Sequence, residues 1–234
     1  SLNARVRPAL LALLPLVVFA YLIFPQLYDL IAGAVSLFVI FGLVTIFAHF
    51  CRNAGRSAEQ KLFKAWGGKP TTIMLRHSDT YLEPITKERY YRFLAKNIDS
   101  WVAPSVKDEM LDHNSADKKY DSAVRWLLEY TRDQRKYSIL FKENISYGFR
   151  RNCYGIKMPA AVLAISPFLA IVADFVLDSI SYVDIGAPTT WISLAISALL
   201  FFWWFFVVSG AWVKDAANGY ATRLLAACES DGRS

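Results

Sequence analysis

Residues 8–50 read PALLALLPLVVFAYLIFPQLYDLIAGAVSLFVIFGLVTIFAHF and residues 158–213 read MPAAVLAISPFLAIVADFVLDSISYVDIGAPTTWISLAISALLFFWWFFVVSGAWV, and neither stretch contains a Lys or Arg. All 26 basic residues of the 234-residue chain lie outside these two stretches. Water-soluble domains do not segregate charge in this way. The hydrophobic content of 55% also exceeds the roughly 45–50% that is usual for them. Since about 20 apolar residues cross a bilayer, both stretches predict an integral membrane protein.

Each charge-free stretch is long enough for two helices joined by a short loop. We predict a mainly all-α protein in which four transmembrane helices form two hairpins, residues 1–50 and 158–213, that flank a small helical cytosolic domain. A cleaved signal peptide is a less favoured interpretation of the first helix, because no small-residue cleavage site follows it. The predicted spans are Pro8–Phe24, Leu30–Phe50, Met158–Leu177 and Trp191–Val213.

The loops inside the two predicted hairpins indicate the orientation of the chain. Pro25–Asp29 and Asp178–Thr190 contain Asp29, Asp178 and Asp184 but no basic residue. Because basic residues concentrate on the cytoplasmic side of a membrane, we expect both termini and the central domain to be cytoplasmic. The expected location is an inner membrane.

Residues 51–157 carry 21 basic and 13 acidic side chains, a net charge of +8, and are predicted to form a basic cytosolic domain. Residues 214–234 are predicted to be a cytosolic tail that begins as a helical continuation of the last span. Apolar periodicity predicts helices at Ser57–Trp66, from Pro84 to about Ile98, and around Tyr120–Thr131, with Thr71–Leu75 extended and 99–116 a loop. The buried stripe of the last helix is predicted to be Tyr120, Ala123, Val124, Leu127, Leu128 and Thr131, and its basic face Lys118, Arg125, Arg132 and Lys136.

The sequence contains no recognisable catalytic constellation, and we expect neither an enzyme nor a cofactor or metal. Gly67-Gly68-Lys69-Pro70-Thr71-Thr72 looks like part of a phosphate-binding loop. However, Phe63 replaces the required upstream glycine and Pro70 the Ser or Thr after the Lys. A helix terminator is the better interpretation. His77 and Asp79 are interpreted as a local hydrogen-bonding cluster rather than a catalytic dyad.

A dense set of cationic and aromatic residues in the central domain predicts a polyanion-binding site. Cations neutralise phosphates and rings stack on nucleobases, as a site for a single-stranded nucleic acid or oligonucleotide requires. Lipid headgroups are an equally good partner for Arg150, Arg151 and Lys157 beside the third span, and a solvated helix face is the third alternative. The predicted ligand-binding residues are Arg76, Arg89, Arg92, Arg125, Arg132, Arg135, Lys136, Tyr147, Arg150 and Arg151.

Ionisable residues inside membrane spans are costly and therefore informative. Asp174 lies in the third predicted span, four residues before Asp178 and on the same helical face. In a homo-oligomer, for which we predict a tetramer, the two carboxylates would ring the outer mouth of a cation pore. The alternative is that both are solvated at headgroup level.

Two stretches carry a family resemblance: Gly67-Gly68-Lys69-Pro70-Thr71-Thr72 with Leu75-Arg76-His77, and Thr131-Arg132-Asp133 through Glu143-Asn144 to Tyr147-Gly148-Phe149-Arg150-Arg151-Asn152. They resemble the membrane channel effectors of the Hailong anti-phage defence system of bacteria. The resemblance covers the central third of the chain. It implies an oligomeric channel that is held closed by short single-stranded DNA, which a nucleotidyltransferase encoded alongside makes.

Two functional hypotheses follow for this chain. The first is an oligomeric inner-membrane ion channel, gated by a nucleotide or single-stranded DNA oligomer on the basic domain. The second is a non-conducting membrane scaffold that docks a cytosolic partner protein on the same basic face. The lipid bilayer and a second copy of the chain are expected partners in the first case.

Overall fold

The computed structural model describes residues 3–23, 34–177 and 183–233, and this part of the chain is helical without a strand. This confirms the predicted helical class. The helices are α1 (Asn3–Ile23), α2 (Ala34–Trp66), α3 (Pro70–Leu75), α4 (Pro84–Asn97), α5 (Val106–Leu111), α6 (His113–Tyr130), α7 (Ser138–Gly155), α8 (Lys157–Leu177), α9 (Pro188–Phe202) and α10 (Gly210–Ala226), with a π-helical turn at Trp203–Val207 and a 3₁₀ helix at Ala227–Arg233.

The chain divides into two compact units. The apolar unit comprises Ser1–Glu59 and Gly148–Val213, and the polar unit comprises Gln60–Tyr147 and Lys214–Ser234. All three boundaries between them fall inside a helix, namely α2, α7 and α10. The membrane-proximal parts of the predicted cytosolic domain, residues 51–59 and 148–157, therefore belong to the apolar unit.

Within the described residues, three helices of the apolar unit are long and apolar enough to cross a membrane: Asn3–Ile23, Lys157–Val176 and Pro188–Val207. α1 packs against both α8 and α9, which also pack against each other. Small side chains are buried where these helices meet, as expected of helices that associate in lipid. The buried small residues include Ala9, Ala12, Ala160, Ala164, Ser193 and Ser197.

The second predicted span begins in a part of the chain outside the described residues. From Ala34 the helix α2 continues to Trp66, so there is no boundary at Phe50 and the predicted helix at Ser57–Trp66 is the end of α2. The first predicted hairpin loop, with Asp29, and residues 178–182 of the second, with Asp178, also lie outside the described residues. Four spans in two hairpins therefore stay a prediction.

The fourth predicted span, Trp191–Val213, is not one helix. α9 ends at Phe202, a π-helical turn follows, and Val208 is extended with ψ of 96°. The Ser209 hydroxyl then accepts a hydrogen bond from the Trp212 amide at 3.2 Å, as a helix N-cap does. The chain is helical across the predicted boundary at Val213, but the helix that enters the tail is α10, which begins after this cap.

The polar unit is built on α6, whose predicted buried stripe is correct except for Leu128, which is 41% exposed. α6 ends at Tyr130, so Arg132 and Lys136 lie beyond it and do not share a helical face with Lys118 and Arg125. Thr71–Leu75 is helical rather than extended, and the predicted loop 99–116 contains α5. The core comprises Met74, Leu75, Tyr90, Tyr91, Leu94, Trp101, Tyr120, Ala123, Leu127, Leu140, Ala221, Leu224, Leu225 and Cys228.

The carboxyl-terminal tail is part of this core. Leu224 and Leu225 are fully buried, and Cys228 is 6% exposed. Since full burial of a Leu side chain contributes about 2 kcal/mol, α10 is a structural element of the polar unit rather than a separate tail.

Candidate polyanion-binding surface

The glycine-rich motif after α2 fixes α3 to α6. Gly67 and Gly68 have φ values of +82° and +145°, which side chains other than glycine rarely tolerate. Lys69 Nζ lies 2.5 Å from Asp121 Oδ2, and the Thr72 hydroxyl donates to the other oxygen of the same carboxylate. These contacts agree with the interpretation of a helix terminator, because both polar side chains have a partner within the fold.

Arg76, one of the predicted ligand-binding residues, is held inside the same structure. Its guanidinium donates to both Asp117 oxygens, at 2.9 and 2.7 Å, and to the Gly67 carbonyl at 2.8 Å. Its side chain is 11% exposed, and the hydrogen bonds to Asp117 raise its pKa. Its charge is thus already matched by a carboxylate, which leaves little cationic surface for a ligand.

Glu109, which the sequence did not single out, organises the loop after α3. Its buried carboxylate accepts from the His77 and Ser78 amides and from the Ser78 and Tyr120 hydroxyls, at 2.6–3.2 Å. Burial opposes its ionisation, but these hydrogen bonds outweigh that effect and lower its pKa. A single carboxylate in a polar stretch gives no sequence signal, since only the fold brings its donors together.

His77 and Asp79 do not bind each other, as the predicted local cluster implied, but bind separate backbone groups. His77 Nε2 lies 2.8 Å from the Pro104 carbonyl, whereas Asp79 accepts from the Tyr81 amide. The buried Lys87 ammonium donates to the Arg76 and Asp79 carbonyls, and burial lowers its pKa. All three side chains form hydrogen bonds with backbone groups and therefore stabilise the loop that follows α3.

A cleft of about 440 Å³ lies beside these residues. Its lining includes the carboxylates of Asp79, Glu83 and Glu88 and only one ammonium, that of the buried Lys87. This balance of charge repels a polyanion, so the cleft does not qualify as the predicted site.

Aromatic rings of α4 and α6 form a cluster on the polar unit. Trp126 and Tyr130, one helical turn apart, stack with centroids 4.9 Å apart and planes at 17°. Phe93 meets both edge-on, at 6.4 and 5.8 Å. All three rings are partly exposed. The Phe93 and Trp126 rings were not among the predicted site residues, although their neighbours Arg92 and Arg125 were.

Lys136 and Tyr137 extend this cluster. Lys136 Nζ lies 5.9 Å from the centroid of the Tyr130 ring and 5.4 Å from that of Tyr137, within the range of a cation–π interaction. The Tyr137 ring is 9% exposed, and its hydroxyl has no hydrogen-bond partner in the described part of the chain. We call Phe93, Trp126, Tyr130, Lys136 and Tyr137 the aromatic cluster.

Four predicted cations follow or adjoin residues of the aromatic cluster in sequence. Arg92, Arg125 and Arg135 are exposed, and their side chains make no hydrogen bond or ion pair within the described ranges. Arg132 is 81% exposed and pairs with Glu129 at 3.2 Å. Because an exposed pair of this kind is weak, all four cations remain accessible to an anion. Arg89 differs, since its guanidinium binds Glu229 at 2.7 Å.

Three other predicted ligand-binding residues are engaged in contacts within the protein. Tyr147 is buried, and its ring stacks on that of Tyr220 with planes at 7°. In the apolar unit, Arg150 donates to the Trp212 carbonyl at 2.9 Å and lies over the Trp212 ring. Arg151 pairs with Glu59 at 2.9 Å.

Asp174, the described member of the predicted carboxylate ring, lies near the end of α8. Its Oδ2 accepts a hydrogen bond from the Val183 amide at 3.3 Å, which ties the segment before α9 to α8. Asp178 is outside the described residues, so the predicted ring stays a prediction.

Comparison of the chain with protein-family models, with curated proteins and with solved structures finds no match. The resemblance drawn from the sequence therefore stays a prediction.

Proposed function

We propose that this chain is a subunit of an oligomeric membrane channel whose polar unit binds a polyanion of nucleotide chemistry, such as a short single-stranded DNA, at the aromatic cluster. The observation that carries this proposal is the stacked pair of Trp126 and Tyr130, partly exposed and accompanied by four accessible cations.

The chemistry of the cluster suits a single-stranded oligonucleotide. A partly exposed stacked ring pair offers a π-face to a base, and such stacking contributes about 1–3 kcal/mol per base without regard to sequence. Arg92, Arg125, Arg132 and Arg135 supply charge for the phosphates. Arg76, Arg150 and Arg151 are excluded from the proposed site because their guanidinium groups already have partners in the fold.

Helix continuity supports coupling between the ligand and the membrane. α2, α7 and α10 pass from one unit into the other without a helix break. A ligand that orders the polar unit would thereby bias the helices that continue into the apolar unit. It shifts a gate only by its difference in affinity between the open and closed states.

Binding of fluorescent single-stranded DNA to the full-length protein in nanodiscs tests the ligand. We expect Trp126→Ala to weaken binding by roughly 5- to 100-fold, the equivalent of one lost stacking contact. Combined Arg132→Gln and Arg135→Gln should reduce the slope of log affinity against log salt by about 1.4, at about 0.7 per phosphate contact.

The matched control is the double variant Lys107→Gln and Lys119→Gln, which removes the same charge from exposed positions elsewhere on the polar unit. It should bind DNA almost as the wild type does. Equal affinity of wild type and Trp126→Ala would remove the aromatic cluster from consideration.

Ion flux from liposomes tests the channel. We expect flux through the wild-type protein to change with the concentration of the DNA, and this response to be weakened in Trp126→Ala. Absence of flux both with and without DNA would favour the scaffold hypothesis, in which the same surface docks a partner protein.

A further inference from the structure

Three helices, α1, α2 and α7, come into close contact within the apolar unit, at a point that we call the helix junction. The Asn152 side-chain amide in α7 donates to the Ala4 carbonyl in α1 at 2.8 Å. Gly55 in α2 lies so close to Asn152 that an added Cβ would be 2.2 Å from its Oδ1. Ala4, Gly55 and Asn152 thus lie at one point, where α1, α2 and α7 come together.

This junction gathers four guanidinium groups. Arg5, Arg56 and Arg151 each follow or precede one of the three junction residues in sequence, and Arg52 lies one helical turn before Arg56 on α2. Repulsion from Arg5, and next from Arg56, lowers the pKa of Arg52, which shows that the charges lie near one another.

The partners of these cations differ. Arg151 has a carboxylate, that of Glu59, and the nearby Lys157 donates to the Phe205 carbonyl at 3.0 Å. By contrast, Arg5, Arg52 and Arg56 make no hydrogen bond or ion pair in the described part of the chain. Arg5 and Arg52 are also half-buried. Four guanidinium groups thus share one carboxylate, and the excess positive charge would attract an anion.

We propose that Arg5, Arg52 and Arg56 form a binding site for the phosphate group of an anionic phospholipid. Lipid phosphates are expected at this level, because all three residues lie within six residues of an end of the charge-free stretch 8–50. It differs from the lipid contact expected from the sequence, since Arg150, Arg151 and Lys157 already have partners in the fold.

The test measures the unfolding temperature of the full-length protein in detergent as dioctanoyl phosphatidylglycerol is added. The wild type should be stabilised. The triple variant Arg5→Gln, Arg52→Gln, Arg56→Gln should need roughly a hundredfold more lipid, since each basic residue near an anionic lipid contributes roughly a fivefold factor. A triple control, Lys107→Gln, Lys118→Gln and Lys119→Gln, carries the same change in charge and should respond like the wild type.

Control ligands and a DNA-binding measurement distinguish an anionic lipid from other anions. Equal stabilisation by dioctanoyl phosphatidylcholine or by inorganic phosphate would overturn the proposal of an anionic lipid. Loss of DNA binding in the triple variant but not in Trp126→Ala would also overturn it, and would assign the cluster to the polyanion.

The single variant Arg56→Gln changes an exposed residue and guards against misfolding of the triple variant. It should need roughly fivefold more lipid, and an unchanged response would contradict the site. Native mass spectrometry provides a second readout, in which the wild type should retain more phosphatidylglycerol than Arg56→Gln. Neither result depends on whether the protein conducts ions.

Discussion

The apolar unit and the polar unit differ in how closely their helix backbones approach. In the apolar unit, helices approach through Ala, Ser and Gly, and an added Cβ at Gly155 would lie 2.4 Å from the Gly55 backbone nitrogen. In the polar unit, large rings and leucines fill the core, and buried charged groups such as Glu109 fix the connecting loops. Such a difference is expected between helices that associate in lipid and a unit that folds in water.

The physical reason lies in the hydrophobic effect. Lipid tails are as apolar as Leu, so helices in a membrane gain little from burying large side chains and associate through close backbone contact instead. In water, burial of Leu224 or Tyr120 is favourable, whereas loops still need partners for their polar backbone groups. Glu109 and Lys87 supply those partners.

Disrupting the packing of the apolar unit should have the largest effect on the stability of the protein. Gly155→Ala should destabilise the protein by about 3 kcal/mol or more, because the new methyl group meets backbone that cannot move aside. Thermal unfolding in detergent and the fraction of monodisperse protein measure this. Gly42→Ala is the control, since no atom lies within 4 Å of the position that its new methyl group would occupy. Equal stability of the two variants would contradict the close contact between Gly155 and Gly55.

A core substitution in the polar unit should have the next largest effect. Leu224→Ala leaves a cavity and should cost about 2–5 kcal/mol, whereas the exposed neighbour Arg223→Ala should change stability by less than about 0.5 kcal/mol. Cys228 reports on this region, because burial raises the pKa of its thiol to about 12.

Maleimide labelling of Cys228 at neutral pH, located by peptide mass spectrometry, measures the docking of α10. Labelling should be slow in the wild type and faster in Leu224→Ala. Rapid labelling of the native wild type would contradict the packing of α10 in the core.

The buried carboxylate of the polar unit should show a smaller effect that depends on pH. Glu109→Gln removes acceptor capacity from buried donors and should cost about 1–3 kcal/mol at pH 7. Because the pKa of Glu109 is lowered from 4.5 on folding, its carboxylate stabilises the protein above pH 4.5. This contribution is lost as the pH falls through the folded-state pKa.

Chemical denaturation between pH 7 and about pH 2.5 checks this dependence, because the loss extends below pH 4.5 down to the folded-state pKa. The loss of stability below pH 4.5 should be less steep in Glu109→Gln than in the wild type. The exposed Glu129→Gln is the control and should keep the wild-type slope. Parallel slopes for all three proteins would argue against a stabilising role of ionised Glu109.

The smallest effect is expected at the surface. The pair of Arg89 and Glu229 is 45% and 41% exposed, so a double-mutant cycle with Arg89→Gln and Glu229→Gln should give about 0.2–1 kcal/mol. The cycle with Arg76→Gln and Asp117→Asn should give a larger coupling of about 1.5–3 kcal/mol, because hydrogen bonds to charged groups are stronger when shielded from water. A larger coupling energy for Arg89 and Glu229 than for Arg76 and Asp117 would contradict the structural role of Arg76.

The sequence predicted part of the candidate site and missed the rest for identifiable reasons. Arg92, Arg125, Arg132 and Arg135 were found because clustered cations are visible in any sequence. Trp126 was missed because an aromatic residue within an amphipathic helix is indistinguishable from a core residue until the packing is known. Arg76 was included because nothing local reveals that Asp117, 41 residues away, is its partner.

What the sequence determined by itself was the helical class and the helices apolar enough for a membrane, because absence of charge and helical periodicity are local properties of the chain. Tertiary structure alone decided that α10 belongs to the core of the polar unit, that α9 and α10 are separate helices, and which guanidinium groups are neutralised. These outcomes depend on contacts between residues far apart in the chain, such as Asn152 with Ala4. Such contacts leave no periodic trace in the sequence.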